Sequence, residues 1–348
     1  MMYRSFARVG PFALAALLVT LTCVAVAAQA PAKNSSSAAT KGGGLRTGDG
    51  QPDLQGIWDF RTVTPLERPE ELAGKEFLTE QEAAAYEKKM VASRDADANR
   101  GKTARRVVNG TDETEDVALA YNNFWWDRGT KVVGSRRTSL IVDPKDGKIP
   151  ALTAKGKTRA DERAKVQERP AFGPEDRSVG ERCMLGFNAG PPMNPGAYNM
   201  NVQIFQNKDY VVLLNEMVHN ARIIPLDGRP RPNMRQWSGE SRGRWEGNTL
   251  VVDTTNFYHQ TSLQNSTPNL KVVERFTRVD PDVLLYEYTV NDPTTWTKPW
   301  SAQIQMRKSD LPIYEYACHE GNYGMFGLLS GARAVDARNA EAAKRGSQ

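Results

Sequence analysis

A mainly β architecture, an antiparallel meander that closes into a barrel with a peripheral N-terminal helix, is the fold class that this 348-residue chain predicts. Three observations carry the expectation. Beyond Tyr198, apolar and β-branched residues recur in short runs of two-residue period, and Asp, Asn, Gly and Pro separate those runs. The connections are short, which makes consecutive strands antiparallel neighbours, and so many of them must curl or close to hide their edges. The clearest helix start, a capping box of Thr79 with Glu82, lies far upstream of the meander.

Taken in order, the first thirty residues read as a Sec leader. Arg4 and Arg8 precede an apolar run from Phe12 to Ala27, and Ala25, Ala27, Ala28 and Ala30 offer signal-peptidase sites. Residues 1–28 are therefore expected to be removed on export to the periplasm or beyond. Cys23 lacks the Leu and the small residue that precede a lipidated cysteine. No later stretch approaches the roughly 18 apolar residues of a membrane span. From 29 to 50 the chain is a low-complexity tether with few apolar side chains. Residues 51–332 are expected to form a single β-barrel-type domain with a helical insertion at about 79–100, and 333–348 a charged tail.

Within the domain, Asp53–Trp58 predicts a first strand, Thr79–Ser93 the capped helix and Ala160–Arg169 a second, exposed helix. Ser139–Val142, turning through Asp146-Gly147, is expected to join the main sheet. The meander is expected at 199–205, 210–218, 242–245, 249–253, 272–279, 283–290, 300–307 and 313–318.

Gly56-x-Trp58 on a first strand ahead of a meander resembles the lipocalin and calycin pattern, in which the Trp closes one end of the barrel. Over most of its mature length the chain resembles a family of uncharacterised secreted bacterial proteins. The strings that carry this are 137–144 (RTSLIVDP), 180–183 (GERC), 215–219 (NEMVH), 243–247 (GRWEG) and 318–322 (CHEGN). The resemblance implies export and fold and no particular chemistry.

Charge excludes some partners. Of 46 basic residues the leader takes Arg4 and Arg8, leaving 44 against 41 acidic ones, a net of +3 that gives no argument for nucleic acid or an anionic membrane. Two cysteines survive the leader, Cys183 and Cys318, and an oxidising compartment predicts a disulfide between them. Neither belongs to a metal-ligand spacing, and His219, His259 and His319 form no H-x-H or H-E-x-x-H cluster, so no metal or cofactor is expected. Residues 239–243 fit G-x-S-x-G, but a hairpin follows where a nucleophile elbow requires a helix, so Ser241 reads as a surface turn residue.

Two function classes remain. One is a small-molecule-binding barrel, with Asn199, Asn201 and Gln203 as a polar row on one strand face and Trp125 and Trp126 as stacking surfaces. That row orients a ligand if it faces inward and is a solvated face if it faces outward. The other is an acid–base enzyme, a lyase, isomerase or hydrolase of a hydroxylated or carbohydrate-like substrate. Its protons would be carried by Glu216, His219, His319 and Glu320 at strand ends. The plain alternative for each of those four is a hydrogen-bonded rim residue. The oligomeric state is not encoded legibly.

Overall fold

A computed structural model describes residues 45–94, 127–261, 263 and 265–346, together with the backbone of 105–108 and 111–114. All belong to the unit Thr40–Gln348. Trp125 and Trp126 lie outside the described residues, as do residues 1–44, which include the expected leader and most of the expected tether.

The alternating segments form an antiparallel sheet of 10 strands, accompanied by three α-helices among the described residues. In chain order they are β1 (Gly56–Asp59), α1 (Glu80–Ser93), β2 (Arg105–Val108), β3 (Thr111–Thr114), β4 (Ile141–Asp143) and α2 (Ala154–Glu168). Then come β5 (Asn201–Gln206), β6 (Tyr210–Asn215), β7 (Ala221–Pro225), β8 (Glu240–Glu246), β9 (Thr249–Thr255), β10 (Lys271–Asp280), β11 (Val283–Asn291), β12 (Trp300–Ser309) and α3 (Tyr323–Gly346). The sheet runs β7-β6-β5-β1-β12-β11-β10-β9-β8, with β4 also on β12, while β2 and β3 pair separately. Two meanders, β5–β7 and β8–β12, are therefore joined through β1. Trp58 of β1 pairs with Val202 on one side and Lys308 on the other, and its buried indole donates to the Leu54 carbonyl at 2.9 Å.

Alternation decides what fills the concave side. Along β11 and β12 the buried positions are Leu284, Tyr286, Tyr288 and Val290, then Trp300, Ala302, Ile304 and Met306. Rings follow one another inward, Phe276 to Tyr286 at 4.9 Å, Tyr286 to Tyr288 at 5.6 Å and Tyr288 to Trp300 at 5.8 Å between centroids. Arg222 of β7 and Glu274 of β10 meet in the same interior through two bonds of 2.6 and 2.8 Å. Six strand steps separate these two strands, ~29 Å across a flat sheet at about 4.8 Å per step. Their direct contact requires a strongly curled sheet. No hydrogen-bonded ladder joins the end strands β7 and β8 among the described residues, yet they approach closely. A Cβ at Gly243 of β8 would lie 2.9 Å from Ile224 of β7 and 2.6 Å from Leu226 just beyond it.

Outside the sheet, α1 begins at the expected capping box, with Glu82 accepting from Thr79 N at 2.9 Å. It covers a satellite core of Val63, Leu78, Ala83 and Val132. The second helix starts at Ala154, ahead of the Ala160 expected, because Thr153 caps it and Gly156 permits close docking. A Cβ there would stand 2.4 Å from the Thr295 carbonyl.

One C-terminal expectation fails. Residues 313–318 form no strand, because β12 is already paired with β1, β11 and β4 and has no edge to offer. Within the expected charged tail the chain is helical through Gly346, and Arg333 ties that helix to the Ala171 and Phe172 carbonyls at 2.7 and 2.8 Å. Ser241 also departs from expectation. It is buried within β8, its hydroxyl 2.9 Å from that of Thr254, and stands at no strand–helix turn. Strand β7 was not anticipated, since its five residues, Ala-Arg-Ile-Ile-Pro, end in a proline that reads as a stop. Among the described residues no helix is long and apolar enough to cross a membrane.

Candidate functional site

The sequence places a ligand inside the sheet, but packed aromatic side chains occupy that interior. The polar row is oriented away from it. On β5 the buried positions are Val202 and Ile204, so Asn201 and Gln203 belong to the outer face, half-buried. Asn199 precedes the strand in a left-handed conformation (φ 52°), and its carbonyl accepts from Asn188 at 3.2 Å.

Of the four proton-carrying candidates, only Glu216 is buried. The chain leaves β6 after Asn215 and turns tightly through Met217–His219, with Val218 and His219 at positive φ. This turn breaks the strand that sequence periodicity extends to Val218. Glu216 is held between two segments, Oε2 accepting from Asn201 Nδ2 at 2.8 Å and Oε1 from the backbone N–H of Tyr314 at 3.1 Å. Residues 313–318 thus pass the end of the sheet where β5 begins and β6 ends. Tyr316 faces Tyr198 there, hydroxyls 3.4 Å apart, and burial followed by the Tyr316 hydroxyl pushes Tyr198 up to about 12. His219, His319 and Glu320 are exposed, and none makes a side-chain hydrogen bond among the described residues. The structure therefore joins Glu216 to the backbone at Tyr314, and no side-chain hydrogen bond links any two of the four. No group of three or more His, Cys, Asp or Glu among the described residues is placed to hold a metal ion.

The disulfide between Cys183 and Cys318 is formed, with Cα atoms 5.6 Å apart. It fastens the segment around Val179–Phe187 to the end of the 313–318 run. Asn322 reinforces the junction through Nδ2 to the Glu181 carbonyl at 3.4 Å.

That fastened segment forms one wall of a cleft of about 680 Å³, within the 300–1,000 Å³ usual for small-molecule sites. The second wall is α2, presenting Arg159, Arg163 and Val166, and the third is the loop from His259 to Pro268. Asp292, at the end of β11, organises the support. One oxygen accepts from Thr267 N (2.7 Å), Thr267 Oγ1 (2.9 Å) and Thr295 Oγ1 (2.8 Å), and the other from Thr294 N (3.0 Å) and Thr294 Oγ1 (2.7 Å). Burial, the largest influence, would raise this carboxyl, but the hydrogen bonds from Thr294, Thr267 and Thr295 together hold it below its ordinary value. The same turn seats α2, since Thr153 Oγ1 donates to the Thr294 carbonyl at 2.8 Å and Arg159 Nη2 to Thr295 Oγ1 at 2.8 Å.

A second cleft, about 600 Å³, opens between β7 and β8. Its arginines are committed: Arg229 to Asp227, Arg231 to the Asp253 carbonyl at 2.8 Å, and Arg242 to Glu240 and to the Pro230 carbonyl at 3.0 Å. The first cleft differs in that Arg163 touches no carboxylate among the described residues.

Sequence reasoning missed this cleft. Its one local signal was the pair of arginines four apart on a helix, Arg159 and Arg163, which share a face. Comparison with family models, curated proteins and solved structures finds no match for the chain.

Proposed function

We propose that this protein is a small-molecule-binding protein of the periplasm or the extracellular space. In this reading the curled sheet closes as a barrel that serves as a rigid, side-chain-filled scaffold, and the ligand occupies the cleft between α2, the 178–187 segment and the 259–268 loop. The observation that carries the reading is the cleft itself. Its walls are fixed by a disulfide and by the Asp292 node, and its lining mixes apolar surface (Val166, Phe187, Pro268) with polar groups (Ser178, Gln260, Thr261). Binding sites of that kind are largely pre-formed, and rigid walls lower the ordering cost of association. The leader-like first 28 residues and the disulfide support the location. Closure of the barrel is supported by the approach of Gly243 to Ile224 and by the Arg222–Glu274 contact.

Native mass spectrometry of protein exported by its own host tests the proposal. A bound small molecule is expected in the wild type and lost from a cleft-filling Val166→Trp variant. An adduct that persists in the variant, or none in either protein, refutes the assignment.

A further inference from the structure

We infer that the cleft takes an acid, a hydroxyl-bearing small molecule with a carboxylate or phosphate group, and that Arg163 is its principal anchor, with Arg159 and Arg177 beside it. This deepens the binding reading above and rests on it.

Three guanidinium groups line one cleft with hydrogen-bonding capacity unspent. Arg163 is half-buried and makes no hydrogen bond or ion pair among the described residues. Arg159 uses Nη2 on the 294–295 turn, but its Nε is buried without a partner. Arg177 also has a buried, unpartnered Nε; Glu181 stands 3.9 Å from its Nη1, and the charge of Arg177 is also felt by the neighbouring Asp176. The acidic groups of the lining do not neutralise this set. Asp176 is already bound by Arg169 at 2.8 Å and by Phe172 N, while Glu162 and Glu175 lie exposed at the rim.

Arginine cannot relieve burial by losing its proton. Burial first, and the neighbouring Arg159 second, pull Arg163 below the ordinary arginine value, a sign that its charge is poorly compensated in the protein alone. Two like charges four apart on a helix repel, and neither forms an ion pair with the acidic residues of α2, Asp161, Glu162 and Glu168, among the described residues. An oxyanion supplies what is missing, because the guanidinium fork matches carboxylate and phosphate oxygens in bidentate geometry. The space of about 680 Å³ exceeds what a bare inorganic anion fills, and Thr261 on a facing wall, whose hydroxyl accepts from Leu263 N and keeps its own proton to donate, suits a hydroxyl group of a larger body. A monosaccharide acid has this combination of size, hydroxyls and charge.

Titration calorimetry of the full exported protein with D-glucose, D-glucuronate and D-glucose 6-phosphate provides the test, using wild type, Arg163→Gln and Arg163→Lys. At least one acid is expected to bind ten-fold or more tightly than glucose, and Arg163→Gln is expected to abolish that preference without lowering Tm. Arg163→Lys should retain part of it, because the charge remains while the fork is lost. The two acids separate planar carboxylate from tetrahedral phosphate. An acid that co-purifies with wild type and is lost from Arg163→Gln supports the proposal equally. If glucose or a co-purified neutral compound binds as well as the acids, or if Arg163→Gln leaves the preference intact, the acid class is wrong while the cleft remains the binding site. If none of the three binds and nothing co-purifies, both readings fall together.

Discussion

The interior of the sheet and the cleft outside it both bury arginine, and they treat it in opposite ways. Inside, Arg222 gives both terminal nitrogens to Glu274, and Tyr286 donates to the same carboxylate at 2.7 Å while accepting from Met193 N at 2.9 Å. Burial alone would depress the Arg222 guanidinium, yet Glu274 outweighs it and holds the group above its ordinary value. Burial and then Glu274 raise the Tyr286 hydroxyl well beyond the usual phenol range. In the cleft, half-buried Arg163 forms no ion pair with a carboxylate among the described residues. A buried ion pair matched within the chain belongs to the fold, whereas a sheltered cation left unmatched marks a place where the chain alone is incomplete.

The largest expected effect lies in the interior. Arg222→Met leaves Glu274 charged and uncompensated, and should cost about 3–5 kcal/mol in denaturant unfolding. The double variant Arg222→Met/Glu274→Leu should recover most of that loss. A single variant within 1 kcal/mol of wild type would show that the interior pair does not differ from the cleft arginines.

Next comes the disulfide, which closes a separation of 135 residues. Replacing both cysteines with serine should cost up to about 4 kcal/mol, since the cross-link removes loop-closure entropy from the unfolded chain. The loss should also loosen the cleft wall, read as faster amide exchange across residues 178–187 in the variant.

Asp292 sharpens the comparison from the support side. Asp292→Asn should destabilise by about 1–3 kcal/mol by weakening several buried hydrogen bonds. The pH dependence follows from the lowered carboxyl. A folded value below the unfolded ~3.9 gives stability that is fully present above that value and is lost as pH falls through the folded one. The gap in stability between wild type and Asp292→Asn should therefore narrow below about pH 4 in thermal melts.

The smallest effects separate the four acid–base candidates. Glu216→Gln should cost about 1–3 kcal/mol, because the amide replaces one of the two accepting oxygens with an NH2 that faces the donor of Asn201 or Tyr314. His319→Ala should change stability by less than about 0.5 kcal/mol, as for an exposed side chain without partners. Loss of ligand binding in His319→Ala with folding intact would move the site away from the cleft toward the C-terminal segment.

What the sequence determined by itself was local or rested on a count. Strands β8 to β12 fall where two-residue alternation and Asp, Asn or Gly turns place them, because side-chain period and turn conformation act within a few residues. The capping box at Thr79 and Glu82 is equally local. The Cys183–Cys318 bridge follows from there being two cysteines beyond residue 28. Tertiary structure decided everything that depends on which distant segments meet. Periodicity assigns Asn201 and Gln203 to one strand face without saying whether that face looks inward, and only the packing of Val202 and Ile204 settles it. The run 313–318 carries strand-like composition but finds no free edge beside β12, and instead its backbone binds Glu216 just past the end of β6. Arg222 finds Glu274 across 52 positions because the sheet curls, and Arg159, Arg163 and Arg177 line one cleft because the Asp292 turn seats α2 while the disulfide holds the facing wall. Backbone propensity and turn chemistry are written in neighbouring residues, whereas the pairing or isolation of a charge is fixed only when the whole chain has closed around it.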